Sequence, residues 1–327
     1  MQVSTAPKGQ LFTRSIIAKA IARIDRGTAE PSSALAVAAD RWGSYVGDQI
    51  KSFVDSGDVG SIAAREFFGL AFEQSLLGRI PGLRRVPFNV KALAASAGAQ
   101  GYWVAEGSEL PLSKPTLAGS SLPRLRVGAL IVETLEAIRA EGSVAEAGVQ
   151  RDILRAVSAA IDEAFIGGGA GTPGIKPASI TNGLTPITGT TDLAADVAAL
   201  LEAFDGDLLS AVFVTDPSTA VRLAAVFESA GIRGGDVLGV PLIVSRSVPR
   251  DSSNGQLVLL DPTAIAVAYE PGTIDTSEHG AVAVTVGQGA AAEVLPLWQN
   301  NLLGLKSENH GNWSVQLDGA VAVLEVP

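Results

Sequence analysis

Cysteine is absent from all 327 residues, which excludes disulfides and thiolate metal sites and fits a reducing compartment. Histidine occurs only as His279 and His310, beside glycine in the polar stretches "SEHGA" and "ENHGN". No H-x-x-x-H or H-E-x-x-H spacing is present, so neither residue points to a metal, and both read as exposed loop histidines. Basic residues are outnumbered, 24 against 34 acidic, for a net charge of −10. That balance leaves no electrostatic footprint for nucleic acid, whose binders gather Lys and Arg on one face. Long hydrophobic runs are missing too. "GALIVETL" and "SAVFVT" fall well short of the ~20 residues that cross a bilayer. The opening "MQVSTAPKGQLFTRSIIAKAIARI" lacks the apolar stretch and small-residue cleavage site of a signal peptide. Together these absences predict a soluble cytosolic protein.

What the chain does have is aliphatic mass. Hydrophobic residues make up 47% with only 5% aromatic, so a sizeable core must be built from Ala, Val, Leu and Ile. Residues 11–80 read as Ala-rich helices with polar breaks, in "FTRSIIAKAIARI", in "SSALAVAADRWGSYVGDQIKSFV" after Pro31, and in "SIAAREFFGLAFEQSLLGRI", ended near Gly78 and Pro81. Ser143 and Glu146 form a Ser-x-x-Glu capping box. Val149, Ile153, Val157, Ile161 and Phe165 follow on one stripe, predicting a helix over 144–166, ~34 Å long at 1.5 Å per residue. From about residue 190 helices and strands alternate. A helix with Pro217 at its start and Gly231 at its end follows the N-cap Asp216, and the last segments alternate with period 2 as strands. The body reads as α+β.

Between "LRRVPFNV" and "RLRVGALIVET", both strand-like, lies the polar stretch "GYWVAEGSELPLSKPTLAGSSLPRL". An extended arm of that length reaches ~50 Å at ~3.3 Å per residue, whereas a globule of this size has a radius of gyration of only ~20 Å. An extended hairpin here must find its burial outside the body. Loops so long are functional or disordered.

The residues give no active site. Gly169, Gly171 and Gly174 satisfy G-x-G-x-x-G, but a helix precedes them and Pro173 and Pro177 follow, so the stretch reads as a helix-stop turn rather than a nucleotide cradle. Asp152, Asp162 and Glu163 read as polar-face residues of the long helix. Arg84 and Arg85, with Arg79 nearby, read as pairing with acidic groups of this or another copy. No G-x-S-x-G elbow is present.

In order, "RRVPF", "GYWVAEGSELPLSKPTLAGSSL", "LRVGALIVETLEAIRAEGSVAEAGVQRDILRAVSAAIDEAFIGGGAGTPGI", "VFVTDPSTAVRLAAVFESAG", "DVLGVPLIVSRSVP" and "LPLWQNNLLGLKSENHGNWSV" resemble the major capsid proteins of tailed phages, of the Hong Kong 97-like fold, over roughly residues 65–327. The resemblance implies an N-terminal helical segment and arm over 1–80, and an E-loop hairpin with flanking strands over 81–133 that lies across a neighbouring subunit. It implies a P-domain with the spine helix over 134–190, an axial A-domain over 191–290, and strands returning to the P-domain over 291–327. Arg84, Arg85, Trp103, Glu106, Glu109 and Lys114 are then expected at inter-subunit contacts. Expected partners are further copies in pentamers and hexamers, a scaffold or maturation protease, a portal, and packaged DNA held without sequence-specific contact. No catalytic residue, cofactor, metal or membrane is expected, and the implied location is the virion, assembled in the host cytoplasm. Some members crosslink a loop Lys to an Asn, and Lys114 with Asn300 or Asn301 would be the pair, though one lysine in such a loop does not call for it. Two alternatives stay open: an encapsulin-type compartment shell, and a cytosolic α+β enzyme with residues 101–125 as an active-site lid.

Overall fold

Alanine at helical spacing lets thin helices pack closely, and the N-terminal segment uses it. The computed structural model describes residues 10, 14–15, 17–18, 21–22, 31–42, 44, 46, 48, 69–97, 103–104, 116–136, 143–250, 254–277, 280–284 and 293–327. Helix α1 (Pro31–Trp42) begins on a proline, whose missing N–H breaks no helical bond there. Ala18, Ala22, Ala34 and Ala38 are buried together, with Leu35, Val37 and Trp42 packed around them. The guanidinium groups of Arg14 and Arg41 lie 5.7 and 5.3 Å from the centre of the Trp42 ring. Residues 69–74 are helical, the backbone bends at Ser75, and the short α2 (Leu76–Arg79) stops at Ile80, ahead of Pro81.

After α2 come β1 (Arg84–Arg85), β2 (Lys91–Ala97), β3 (Thr116–Ser121), β4 (Arg126–Thr134) and the long α3 (Ser143–Ile166). The alternating region follows: β5 (Ile187–Thr188), α4 (Leu193–Glu202), β6 (Val212–Thr215), α5 (Pro217–Ala224), β7 (Ala230–Gly231), β8 (Gly234–Val237), β9 (Val240–Val244) and β10 (Gly255–Leu260). The chain closes through β11 (Ile265–Ser277), β12 (Ala281–Val284), β13 (Glu293–Pro296), β14 (Leu302–Val315) and β15 (Val321–Val326). Mixed helix and sheet in this order is the α+β class expected from the sequence.

The chain divides into two units. The first takes Met1–Gln74, Arg126–Ala159 and Glu270–His310, the second Ser75–Leu125, Ala160–Tyr269 and Gly311–Pro327. In the first, β4 pairs antiparallel with β14 from Leu302↔Thr134 to His310↔Arg126, and β12 pairs with β13. In the second, a seven-stranded sheet has the order β5-β15-β10-β6-β9-β8-β7. Its central β6 is buried throughout, as befits a strand covered on both faces. Phe213, Leu242, Leu257, Leu259 and Leu324 form one core with Val197 and Leu200 of α4 and Ala220 and Leu223 of α5. By strand alternation Val212, Val214, Val258 and Leu260, also buried, point to the opposite face.

Two local readings change. The helix from Pro217 ends at Ala224, and Gly231 lies in strand β7 rather than at a helix end. Asp216 does cap that helix, accepting from the Ser218 and Thr219 N–H groups at 2.8 and 3.2 Å. His310 sits in strand β14, half-buried, and is not a loop residue, because the period-2 pattern of the C-terminal segment runs through it. His279 lies outside the described residues.

Candidate inter-subunit contact surface

The hairpin is built from strands other than those flanking it in the sequence. β2 and β3 pair antiparallel from Lys91↔Ser121 to Ala97↔Thr116, with an irregularity between Ala95 and Ala97. The flanking stretches go elsewhere: β1 lies parallel to the start of β11, and β4 is taken by the long β14. Fourteen residues of period-2 pattern in β14 offer β4 a longer ladder than the two residues of β1 could. The hairpin base is fixed. Asn89, in the left-handed region at φ 59°, donates its N–H to the Leu122 carbonyl at 2.9 Å, and Val86 donates to Val267 at 2.9 Å. Leu122, Ala266 and Ala268 are buried beneath Val86 and Phe88, and the Arg124 guanidinium lies 5.8 Å from the Phe88 ring centre.

Of the residues expected at contacts, Arg84 and Arg85 are exposed along β1, and Trp103 is fully exposed at 106%. A bare tryptophan is unusual, since indole burial is a large part of core and interface energetics. Glu106, Glu109 and Lys114 lie outside the described residues. Asn300 uses its side-chain amide on the Pro296 carbonyl at 2.9 Å, and Asn301 takes a left-handed φ of 52° at the end of a 3-10 turn.

Helix α3 is buried along the expected stripe, with Ile153, Val157, Ile161 and Phe165 all 3% exposed or less. The side chains of the capping box at Ser143 and Glu146 lie outside the described residues. Asp162 departs from the reading as a polar-face residue. It is buried, and its carboxylate accepts the Leu76 N–H at 2.7 Å, holding the first turn of α2. Burial pushes its pKa up to about 7, against the lowering effects of that hydrogen bond and of the Arg79 charge. A carboxylate beside Ile161 on a helix reads as solvated in the sequence, and only the return of residues 75–80 covers it.

The glycine-rich stretch is a helix-stop turn. Gly168 takes φ 71°, its N–H bonds the Ser179 hydroxyl at 3.1 Å, and that hydroxyl donates to the Phe165 carbonyl at 2.9 Å. Thr172 donates to the Lys176 carbonyl at 2.8 Å, which folds the loop onto itself. Trp313 closes the end of the helix: its ring meets Phe165 edge-on at 5.4 Å and its Nε1 donates to the Ala178 carbonyl at 2.8 Å. A pocket of about 420 Å³ beside it is lined by Ser179, Asn182, Trp313 and Asp318, with no histidine, lysine or second carboxylate. Asp261 is a structural acid. Burial raises its pKa, but bonds from Thr263, the Asp207 N–H and Ser210 outweigh that and hold it below the usual range. Among the described residues no group of His, Asp and Glu is placed to hold a metal, and no helix is long and apolar enough to cross a membrane.

Comparison with known proteins agrees with this geometry. Residues 87–288 match the model of the phage capsid family. The capsid polyprotein of Pseudomonas phage PAJU2 is 31% identical over 309 residues, covering 86% of this chain and 44% of that protein, so the chain spans less than half of its relative. Among solved structures, the capsid of a native GTA particle superposes with a TM-score of 0.51 at 14% identity, over 79% of this chain and 90% of that one. A structure from Mycobacterium phage Ogopogo gives 0.52 at 20% identity, over 77% and 92%. These likenesses establish the Hong Kong 97-like fold, and the family match and the PAJU2 relative establish that this chain belongs to the phage capsid family.

Proposed function

We propose that the chain is the major capsid protein of a tailed phage or prophage, assembling through its own copies into pentamers and hexamers of an icosahedral shell around double-stranded DNA. In this reading residues 81–133 are the E-loop hairpin, α3 is the spine helix of a P-domain over 134–190, residues 191–290 are the axial A-domain, and 291–327 return to the P-domain. The role is structural, with no catalysis. A scaffold or maturation protease, a portal and the genome are partners met during assembly in the host cytoplasm, and the finished protein resides in the virion.

The observation that carries this is a hairpin with a fixed base and a bare tryptophan. Trp103 is fully exposed, while the residues at the hairpin's root are tied down by hydrogen bonds and a small apolar cluster. An ordered base with a bare tryptophan beyond it suits a strand pair that finds its burial on a neighbour, and closed symmetry multiplies such a contact. Size-exclusion chromatography with negative-stain electron microscopy of the purified chain tests the reading. Closed shells, or pentamers and hexamers, are the expected result, and a chain that stays monomeric at all concentrations and salt conditions overturns it.

A further inference from the structure

Strand register gives the seven-stranded sheet two distinguishable ends. β6 and β9 run parallel, β10 runs antiparallel to both β6 and β15, and β8 runs antiparallel to both β7 and β9. The loops 203–211, 225–229, 238–239, 261–264 and 316–320 therefore share one end. None of these five loops contains a lysine or arginine, and the cations beside them are Arg84 and Arg85 of β1, which packs against residues 262–264. They present the exposed carboxylates Asp205, Asp207, Glu228 and Asp318, together with Leu209, which is 99% exposed, and Leu238, 60% exposed.

The opposite end gathers the arginines. Arg222, Arg233, Arg246 and Arg250 are the only cations in residues 187–261 and 316–327. Arg233 sits in the β7–β8 turn beside Ile232, which is 59% exposed, while Arg246 and Arg250 follow β9. Arg222, on α5, reaches the carbonyls of Val326 and Pro327 at that same end. Of the acids there, Asp216 and Asp192 cap α5 and α4, buried Asp196 accepts from Thr190, and Glu325 lies near the end of β15, while Arg250 lies 3.8 Å from Asp216. The two ends are separated by strands such as the six-residue β10, ~20 Å at 3.4 Å per residue, so one copy cannot bring them together.

Leu238 adds a geometric signal. It and Gly239 form the two-residue turn between β8 and β9 with φ 52° and 83°, a conformation that favours Asn, Asp or Gly. A leucine held there, more than half exposed, is an outlier on both backbone and burial grounds.

We propose that the acidic, leucine-bearing end of this sheet in one copy docks on the arginine-bearing end in a second copy. The inference rests on the self-assembly reading and names the surface that serves it. Two complementary patches on opposite ends of one body make a head-to-tail contact, which closes into a ring when the rotation allows. Opposite potentials fix its register and disfavour like-end encounters. Ile232, Leu209 and Leu238 supply the apolar centre within the charged rim.

Complementary charge reversal tests the contact in the full chain. Arg233→Glu with Arg246→Glu makes both ends acidic, and Asp205→Lys, Glu228→Lys and Asp318→Lys together make both ends basic. Each variant alone is expected to need about tenfold more protein to assemble, read by light scattering, and a 1:1 mixture to recover hexamers, in which the two variants can alternate, to within about threefold of the wild type. The altered side chains are exposed, and the thermal midpoint reports any variant that fails to fold. In that event Leu238→Asn decides: asparagine suits the left-handed turn, so the midpoint holds or rises while assembly weakens. Variants that assemble at the wild-type concentration, or a mixture no better than its parts, overturn this contact and leave the shell reading standing. A wild-type chain that never multimerises overturns both.

Discussion

Asp162 is a carboxylate among apolar neighbours, and its position makes it a pH-dependent part of the fold. Its folded-state pKa, about 7, stands above the unfolded value of 3.8. The folded chain therefore holds this proton more tightly, so the contribution to stability is fully present below about pH 4 and is lost as pH rises through 7. Arg79 is the charged group whose field acts on it, and the Leu76 N–H is its hydrogen-bond donor. Asp162→Asn keeps an acceptor for Leu76 without the buried charge. It is expected to stabilise the chain by about 1–3 kcal/mol at pH 8 and to flatten the stability profile between pH 4 and 7. Thermal unfolding across that range checks this, and an unchanged profile would show that the charge is not paid for by the fold. The sequence placed Asp162 correctly on α3 and misjudged its surroundings, because 86 residues separate it from Leu76.

At the scale of elements, helices were legible where local chemistry decided them. The stripe from Ile153 to Phe165 is buried as its spacing requires, and Asp216 with Pro217 starts α5 as its sequence predicts. Strand pairing was less legible. "RLRVGALIVET" reads as one side of the hairpin but pairs with β14, some 180 residues away, and nothing local distinguishes that choice. The hairpin proper begins at Lys91 and ends at Ser121. Replacing residues 98–115 with Asn-Gly joins Ala97 to Thr116 through a two-residue turn of the kind hairpins favour. The shortened chain is expected to unfold within about 0.5 kcal/mol of the wild type by chemical denaturation, since the base contacts remain. Its yield of shells is expected to fall at least tenfold, as counted by electron microscopy, because the arm no longer reaches a neighbour. Loss of folding would place the tip inside the core.

At the scale of the whole molecule, the two units are interleaved, each drawn from three separate stretches of chain. The seven-stranded sheet takes β15, paired with β10 over six residues, from the last of these. Residues 160–269 alone therefore leave β10 with an open edge and expose the apolar faces of Leu257 and Leu259. That fragment is expected to aggregate on expression, and appending residues 311–327 through a flexible linker is expected to restore solubility and a dispersed amide NMR spectrum. A dispersed spectrum from residues 160–269 by themselves would show that β15 is dispensable. The same interleaving explains why domain boundaries written as consecutive ranges cannot be read directly from composition.

The sequence by itself determined the secondary-structure class, the long helix, the Asp216 cap, the glycine-rich helix-stop turn and, through an ordered series of motifs, the family. Each of these rests on neighbours a few residues apart or on pattern along the chain. Tertiary structure alone decided that Asp162 is buried, that β4 joins β14 and leaves the hairpin to β2 and β3, and that the arginines and carboxylates of the seven-stranded sheet separate to opposite ends. Those facts depend on which distant segments share an edge or an end: Asp207 and Arg222 lie only 15 residues apart in the chain, yet the loop of Asp207 is at one end of the sheet and the carbonyls that Arg222 reaches, of Val326 and Pro327, are at the other.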